Sequence, residues 1–389
     1  MISTSEAFSI LEELSYFEKI TELPLLEARS HVLAATVFSP INMPPFRQAT
    51  MDGFALALHD GLHYEIIGEV KAGDFFETEL KPGQAVKIFT GAAVPGSAQS
   101  VIQKEKVTVR GYDLSIHERL SPETNIRQMG AQIMKGSIAL EKGTYLNAAA
   151  IGYLAGLGFT KVKTCQKPRV GIVVTGNELV SAGENLPEGK VYESNSIMLQ
   201  TALFDAGFDG ISCYSVNDDF EKTKNTLEKA IYQNDMVVIS GGISVGDYDF
   251  VGKALESLNV ETLFYKVNQK PGKPLFAGKQ NNKIIFALPG NPAASLTCFY
   301  VYVLPTLQRL SGMGYKYGSQ MMKGLAYDLM VDNPRSQFLK AFVNDDEVTV
   351  LSHQDSGMLN SFALANALVY VPNGNYQLSK GDKVSVYPI

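Results

Sequence analysis

The stretch Met236-Val237-Val238-Ile239-Ser240-Gly241-Gly242-Ile243-Ser244-Val245-Gly246-Asp247-Tyr248-Asp249 decides the fold. It opens with an unbroken apolar run of strand length and passes straight into glycines and polar residues. Apolar strands without alternation are buried on both faces, the pattern of a parallel sheet covered by helices. Three similar runs flank it, at 170–174, 211–216 and 284–288. Each also ends in a polar or glycine-rich loop: Thr175-Gly176-Asn177-Glu178, Asn217-Asp218-Asp219 and Pro289-Gly290-Asn291-Pro292. Amphipathic stretches lie between, at 196–206 with Gly207 at its end and at 220–233, and another helix starts near Asn291 with Pro292 in first position. Alternation of this kind predicts a doubly wound α/β domain.

In such a sheet the four strands run one way, so their loops share the carboxyl edge, where ligands bind. That edge gathers Glu178, Asp218 and Asp249 with two glycine loops, one carrying Gly241, Gly242, Ser244 and Gly246 and the other Pro289, Gly290 and Asn291. Glycines let backbone N–H groups approach an anion, and the following helix N-termini favour negative charge, so the loops suit a phosphate. Neither matches a Walker A or a GxGxxG fingerprint. Three carboxylates suit a hard cation such as Mg²⁺ bridging phosphate oxygens. The competing account makes Asp218 and Asn291 helix caps and the glycines turn formers. Further on, Lys266, Lys270 and Lys273 surround a Pro-Gly turn. They form a positive patch that reads either as anion recognition or as a solvated turn.

Outside this domain, Ser3 and Glu6 form a capping box ahead of Ile10, Leu11, Leu14 and Phe17 at helical spacing. Residues 41–130 carry short β-branched and aromatic runs (63–70, 85–89, 101–109), and 131–165 return to helical texture that is expected to pack near the first helix. After residue 314 the chain is β-rich again, with a hairpin of 338–343 and 348–352 across 344–347 and later strands at 368–371 and 383–387. The expected fold class is therefore multidomain α/β. Its parts are a discontinuous linker domain (1–40 with 131–165), an inserted β-rich domain (41–130), the α/β domain (166–313) and a small C-terminal β-barrel (314–389).

The 389 residues include 34 basic and 40 acidic side chains, a net charge of −6, which argues against a nucleic-acid partner. Cys165, Cys213 and Cys298 are dispersed and odd in number, so neither a disulfide framework nor a CxxC metal site is expected, and a reducing compartment is. His59 and His63 are four apart but lack the HExxH glutamate. No signal peptide is read, and the longest apolar stretch, 293–304, is too short to span a bilayer. A cytoplasmic protein without a membrane partner is the expectation.

Several motifs then recur in one order: Met51-Asp52-Gly53-Phe54-Ala55, Ile88-Phe89-Thr90-Gly91-Ala92, Val174-Thr175-Gly176-Asn177-Glu178-Leu179, the run 239–248, Lys270-Pro271-Gly272-Lys273-Pro274 and Leu288-Pro289-Gly290-Asn291-Pro292-Ala293. Over essentially its whole length the chain resembles the molybdopterin molybdenumtransferases, the MoeA type that includes the E domain of gephyrin. The resemblance implies the last step of molybdenum cofactor synthesis. Adenylylated molybdopterin and molybdate bind, the metal enters the dithiolene, and AMP leaves with Mg²⁺ assisting. It implies that Asp52 and Thr90 line the cleft, that Glu178, Asp218 and Asp249 serve catalysis or hold Mg²⁺, and that Lys266, Lys270 and Lys273 meet phosphate or molybdate. Arg335 and Ser356 match a pair implicated in molybdate recognition. It further implies a homodimer whose cleft sets Arg335 and Ser356 of one subunit opposite the Lys270 loop of the other, and a separate adenylyltransferase upstream. Two positions depart from the family pattern: Gln132 stands where an aspartate is expected, and Asn177 where aspartate is common. Gln132 motivates the alternative of a non-catalytic pterin-binding scaffold. Tungstate, nearly equal to molybdate in size and charge, is the alternative oxyanion.

Overall fold

A computed structural model describes residues 1–14, 19–243, 250–314, 317 and 321–389. They form two compact units, one of Met1–Thr21, Ser30–Val32 and Thr164–Ile389, the other of Glu22–Arg29 and Leu33–Lys163.

The first unit is built on a six-stranded sheet. Its strands are β1 (Val170–Thr175), β2 (Ile211–Val216), β3 (Met236–Ser240), β4 (Glu261–Tyr265), β5 (Phe276–Gln280) and β6 (Lys283–Leu288), in the spatial order β2-β1-β3-β6-β5-β4. The four strands expected from the apolar runs are parallel, and β5 and β4 extend them as antiparallel neighbours. Every residue of β1 and β3 is buried. Alternate side chains enter opposite cores: Ile172, Val174 and Val238 join one, Val173, Val237 and Ile239 the other. Burial on both faces explains the missing alternation, and each such side chain contributes roughly 1.5–3 kcal/mol.

Helices Asn195–Asp205, Phe220–Gln233, Phe250–Ser257 and Pro292–Cys298 cover the sheet. The helix Thr4–Glu12 has the expected capping box, with Ser3 Oγ accepting from the Glu6 N–H and Glu6 from the Ser3 N–H. Ala7 and Leu11 are buried in the same core as Val170 and Phe299, whereas residues 131–163 belong to the other unit. The apolar stripe of this helix is used to close the α/β core. Phe17 lies outside the described residues.

Further along the same unit, five strands close a barrel: Met321–Leu325, Ser336–Val343, Glu347–Val350, Ala367–Val371 and Lys383–Pro388. Closure follows because Ser336–Val343 pairs with both Glu347–Val350 and Ala367–Val371. The two-residue strand Gln269–Lys270 adds to it in parallel beside Ser336–Gln337.

The second unit holds a six-stranded sheet in the order Ser100–Gln103, Gly53–Leu56, Gln84–Ile88, His63–Val70, Asp113–Ile116, Val107–Arg110. The run 101–109, expected as one strand, is split by a 3-10 turn at Lys104–Lys106, where the Lys104 N–H donates to the Asp52 carbonyl. Val37–Phe38 pairs with Ile138–Leu140, and Leu25, Ala28 and Leu33 share a small core with Leu146, Ala150 and Leu154. Among the described residues no helix is long and apolar enough to cross a membrane.

Candidate active site

Register sets the site. Val174, Ser240 and Leu288 lie side by side in β1, β3 and β6, so the loops after them leave the sheet at one level. Between those loops is a cavity of about 670 Å³, a size that suits a small-molecule ligand. Gly241, Gly242, Pro289, Gly290 and Asn291 form one side of its wall, and Glu178, Asp218, Tyr192 and Glu193 also line it. The two glycine loops touch each other. A Cβ on Gly290 would lie 3.7 Å from the Gly241 Cα. Gly241 and Gly242 have φ of +90° and +64°, and Cβ atoms there would come within 2.6 Å of the Thr175 carbonyl and 2.4 Å of Thr175 Oγ1. Any side chain would strain the backbone and fill the wall.

The carboxylates are not occupied as helix caps. Phe220–Gln233 is capped by Asp219, which accepts from the Lys222 N–H at 2.8 Å. Asp218 instead accepts from the Asn177 N–H at 3.2 Å, while Asn177 Oδ1 accepts from the Asp218 N–H at 3.1 Å. This reciprocal pair locks the first loop to the second. Glu178 folds back over Gly176, where a Cβ would sit 2.8 Å from its Oε2. Asn291 precedes Pro292–Cys298 but makes no side-chain cap; its Nδ2 donates to Ser356 Oγ at 2.8 Å. Asp249, Ser244 and Gly246, also expected at this edge, lie outside the described residues.

The cavity also uses residues that the motifs did not mark. Asn195 Nδ2 donates to Ser240 Oγ and to the Gly290 carbonyl, both at 2.8 Å, and so ties the two glycine loops together. Glu193 accepts from the Ser196 N–H at 2.8 Å. Tyr192 donates to the Glu184 carbonyl at 2.9 Å, fixing its ring at the rim. Among the described residues, the buried Thr175 Oγ1 and Asn195 Oδ1 have no hydrogen-bond partner within the protein. The topological argument that collects the four loops also collects the start of Asn195–Asp205. That helix begins on the carboxyl edge because β1 ends there.

The lysine patch divides. Lys270 lines a second cavity, about 570 Å³, on the barrel side with Tyr327, Asp332 and Gln354, while Pro274 of the same turn lines the first. Lys270 and Lys273 are exposed. The Lys266 ammonium lies 4.8 Å from the Tyr265 ring centroid, and neither Lys266 nor Lys273 lines either of the two cavities. Ser356 Oγ meets Asn291, and its carbonyl accepts from the Ala294 N–H at 3.2 Å. The Arg335 N–H donates to Asn333 Oδ1 at 3.0 Å, in the turn leading to Ser336–Val343. Both the Ser356 turn and the Lys270 turn make contacts inside one chain. Within one chain Ser356 is bonded to the glycine loop, and Gln269–Lys270 is paired to the strand after Arg335.

In the second unit Asp52 and Thr90 form a pair. Asp52 Oδ1 accepts from both the Thr90 N–H and the Thr90 hydroxyl at 2.8 Å. The backbone and then the hydroxyl bond hold the Asp52 carboxyl below its ordinary value. Gln132 is exposed, and its N–H donates to the Met43 carbonyl at 2.9 Å.

Among the described residues no group of three or more His, Cys, Asp or Glu side chains is gathered for a metal ion. The first cavity nevertheless offers Glu178 and Asp218 on one wall. Mg²⁺ is commonly held by one or two carboxylates, substrate phosphates and water, so the donor set fits that ion in the presence of a phosphorylated substrate.

Three family models match in sequence. They are the MoeA N-terminal region (domain I and II) over residues 2–158, a probable molybdopterin binding domain over 171–309, and the MoeA C-terminal region (domain IV) over 324–389. The chain is 32% identical to the molybdopterin molybdenumtransferase of Haemophilus influenzae, covering 100% of this chain and 98% of that protein. It is 31% identical to the enzyme of the same name from Staphylococcus epidermidis, covering 99% and 95%. The crystal structure of the molybdopterin biosynthesis MoeA protein from Pyrococcus horikoshii superposes with a TM-score of 0.85 at 29% identity, over 100% of both chains.

Proposed function

The chain belongs to the MoeA family, and we propose that its sheet-edge cavity binds adenylylated molybdopterin while the adjoining cationic turn receives molybdate. The enzyme is a molybdenumtransferase of molybdenum cofactor biosynthesis that inserts molybdate into molybdopterin. The finer reading is that the pyrophosphate of the substrate lies against Gly241, Gly242 and Gly290, and that AMP is released. One observation carries it: Asp218 and Glu178 share a cavity wall with two touching glycine loops, and Asp218 caps no helix.

The work of the residues is positioning and electrostatics. The glycine loops let the phosphates approach the backbone closely, with the Gly241 N–H itself bonded to the Leu288 carbonyl at 3.4 Å. Asn195 and the Asn177–Asp218 pair hold the loops at fixed separation. Lys270, Lys273 and Arg335 supply cationic donors for a tetrahedral dianion, and Ser356 a hydroxyl. Mg²⁺, held by Glu178 and Asp218, would neutralise charge on the phosphate oxygens. A homodimer and an upstream adenylyltransferase that delivers the substrate are proposed on family membership. The three cysteines form no disulfide, which supports a reducing, cytoplasmic setting.

The test is molybdate-dependent AMP release from adenylylated molybdopterin by purified protein. Glu178→Gln and Asp218→Asn are expected to lower it at least tenfold with native circular dichroism, and chelation by EDTA to abolish it until Mg²⁺ is restored. Substrate binding by the wild type without AMP release would instead make the protein a pterin-binding scaffold.

A further inference from the structure

Beneath the exposed Lys270–Lys273 turn lies a buried polar cluster. Gln269 has no solvent exposure, so its amide must find partners in the protein. Its Nε2 donates to the carbonyls of Pro271 at 3.1 Å and Gly272 at 3.4 Å and lies 3.6 Å from Cys298 Sγ. Its Oε1 accepts from the Tyr302 hydroxyl. Tyr302 is itself fully buried, within the π-helical turn Phe299–Val303 that joins Pro292–Cys298 to Leu304–Leu310. Such turns cost regular helix hydrogen bonding and are found at sites of function.

Gly272 fixes the fit. Its φ is +88°, and a Cβ there would lie 2.4 Å from Cys298 Sγ and 2.8 Å from Gln269 Nε2. The turn therefore rests directly on the cluster. On its other side, the Asn268 carbonyl accepts from the Ser336 N–H at 3.2 Å, and Asn268 Nδ2 donates to the Pro334 carbonyl at 3.5 Å. The turn bearing Lys270 and Lys273 is thus fastened below by Gln269 and laterally to the turn bearing Arg335. Long cationic side chains bind a small dianion more tightly when the backbone under them is already ordered, because less freedom is lost on binding.

We propose that Gln269, held by Tyr302, is a positioning residue for the oxyanion: it clamps the Pro271 and Gly272 carbonyls so that Lys270 and Lys273 meet the anion from a rigid turn. This deepens the molybdate-insertion reading and rests on it. The variants are Gln269→Met, which keeps the volume and removes the amide, and Tyr302→Phe, which removes only the hydroxyl. Steady-state AMP release is measured against molybdate at saturating adenylylated molybdopterin, then with the two substrates exchanged. Both variants are expected to raise the molybdate KM about tenfold, the effect of one buried hydrogen bond. The KM for the pterin and kcat should stay within about twofold.

A lowered Tm with unchanged molybdate KM, or an equal rise in both KM values, makes the cluster merely structural and overturns the proposal. Calorimetric titration with molybdate alone separates the two readings. If the wild type binds molybdate but releases no AMP, the catalytic reading fails while the tenfold weakening in Gln269→Met still tests the clamp. Should Gln269→Met not fold, Tyr302→Phe decides the matter alone.

Discussion

Two adjacent aspartates separate stability from function at the residue scale. Asp219 accepts from the Lys222 N–H at the start of Phe220–Gln233, and Asp218 faces the cavity and bonds the Asn177 N–H. Asp219→Ala is expected to lower unfolding free energy by about 1 kcal/mol, the value of a lost N-cap, with kcat nearly unchanged. Asp218→Asn is expected to do the reverse, leaving the urea midpoint within error and lowering AMP release. Parallel urea titrations and turnover assays check the pair, and the opposite assignment would return Asp218 to a capping role. Sequence reading placed Asp218 at the sheet edge because topology needs only the direction of the strand before it. It left the cap assignment open, since which of two neighbouring aspartates turns inward depends on Asn177, forty-one positions away. Gln269 was invisible for the same reason. A polar residue in a lysine-rich turn reads as solvated until Tyr302 and Cys298 are seen to enclose it.

Among the elements, the parallel strands were legible and the edge hairpin was not. Residues 170–174 and 236–240 are buried on both faces and so carry long apolar runs. Glu261–Tyr265 is an edge strand with mostly exposed or half-exposed residues, and its short pattern resembles a loop. The opposite end of the sheet supports a pH prediction. Asp235, just before β3, meets Lys19 Nζ at 2.5 Å and the Arg169 N–H at 2.9 Å, with its side chain 13% exposed. Burial works to raise its pKa, but the Lys19 and Arg169 hydrogen bonds and charges outweigh it and leave the carboxyl below its ordinary value. A depressed aspartate pKa means that the unfolded chain binds the proton more readily. Its stabilisation is complete above about pH 4, the unfolded value, and is lost as pH falls through the folded one. Asp235→Asn should therefore lower Tm at pH 7, with the gap to wild type closing below about pH 4. A constant gap across that range in thermal scans would exclude the ion pair as its source.

At the scale of the whole molecule, the placement of the barrel decides who completes the anion subsite. Asn291 lines the sheet-edge cavity with Asp218 and donates to Ser356 Oγ of the same chain. The Ala294 N–H to Ser356 carbonyl bond and the pairing of Gln269–Lys270 with Ser336–Gln337 fasten the barrel to that edge at two further points. These contacts set up a genetic-style test of whether the barrel acts within one chain or, as the family resemblance implies, across two. A barrel reaching across from a second subunit would let a Ser356→Ala chain supply an intact cavity and an Asp218→Asn chain an intact barrel. Mixed dimers of the two would then recover up to a quarter to a half of wild-type turnover. If the Asn291–Ser356 contact puts the hydroxyl in the same chain's site as Asp218, each mixed subunit carries one defect and no recovery follows. The measurement is AMP release from co-refolded or co-expressed variants with distinct affinity tags, purified through both tags. Activity above the sum of the separate variants would show that the barrel acts in trans, and would move the hydroxyl donor of the anion subsite to the partner.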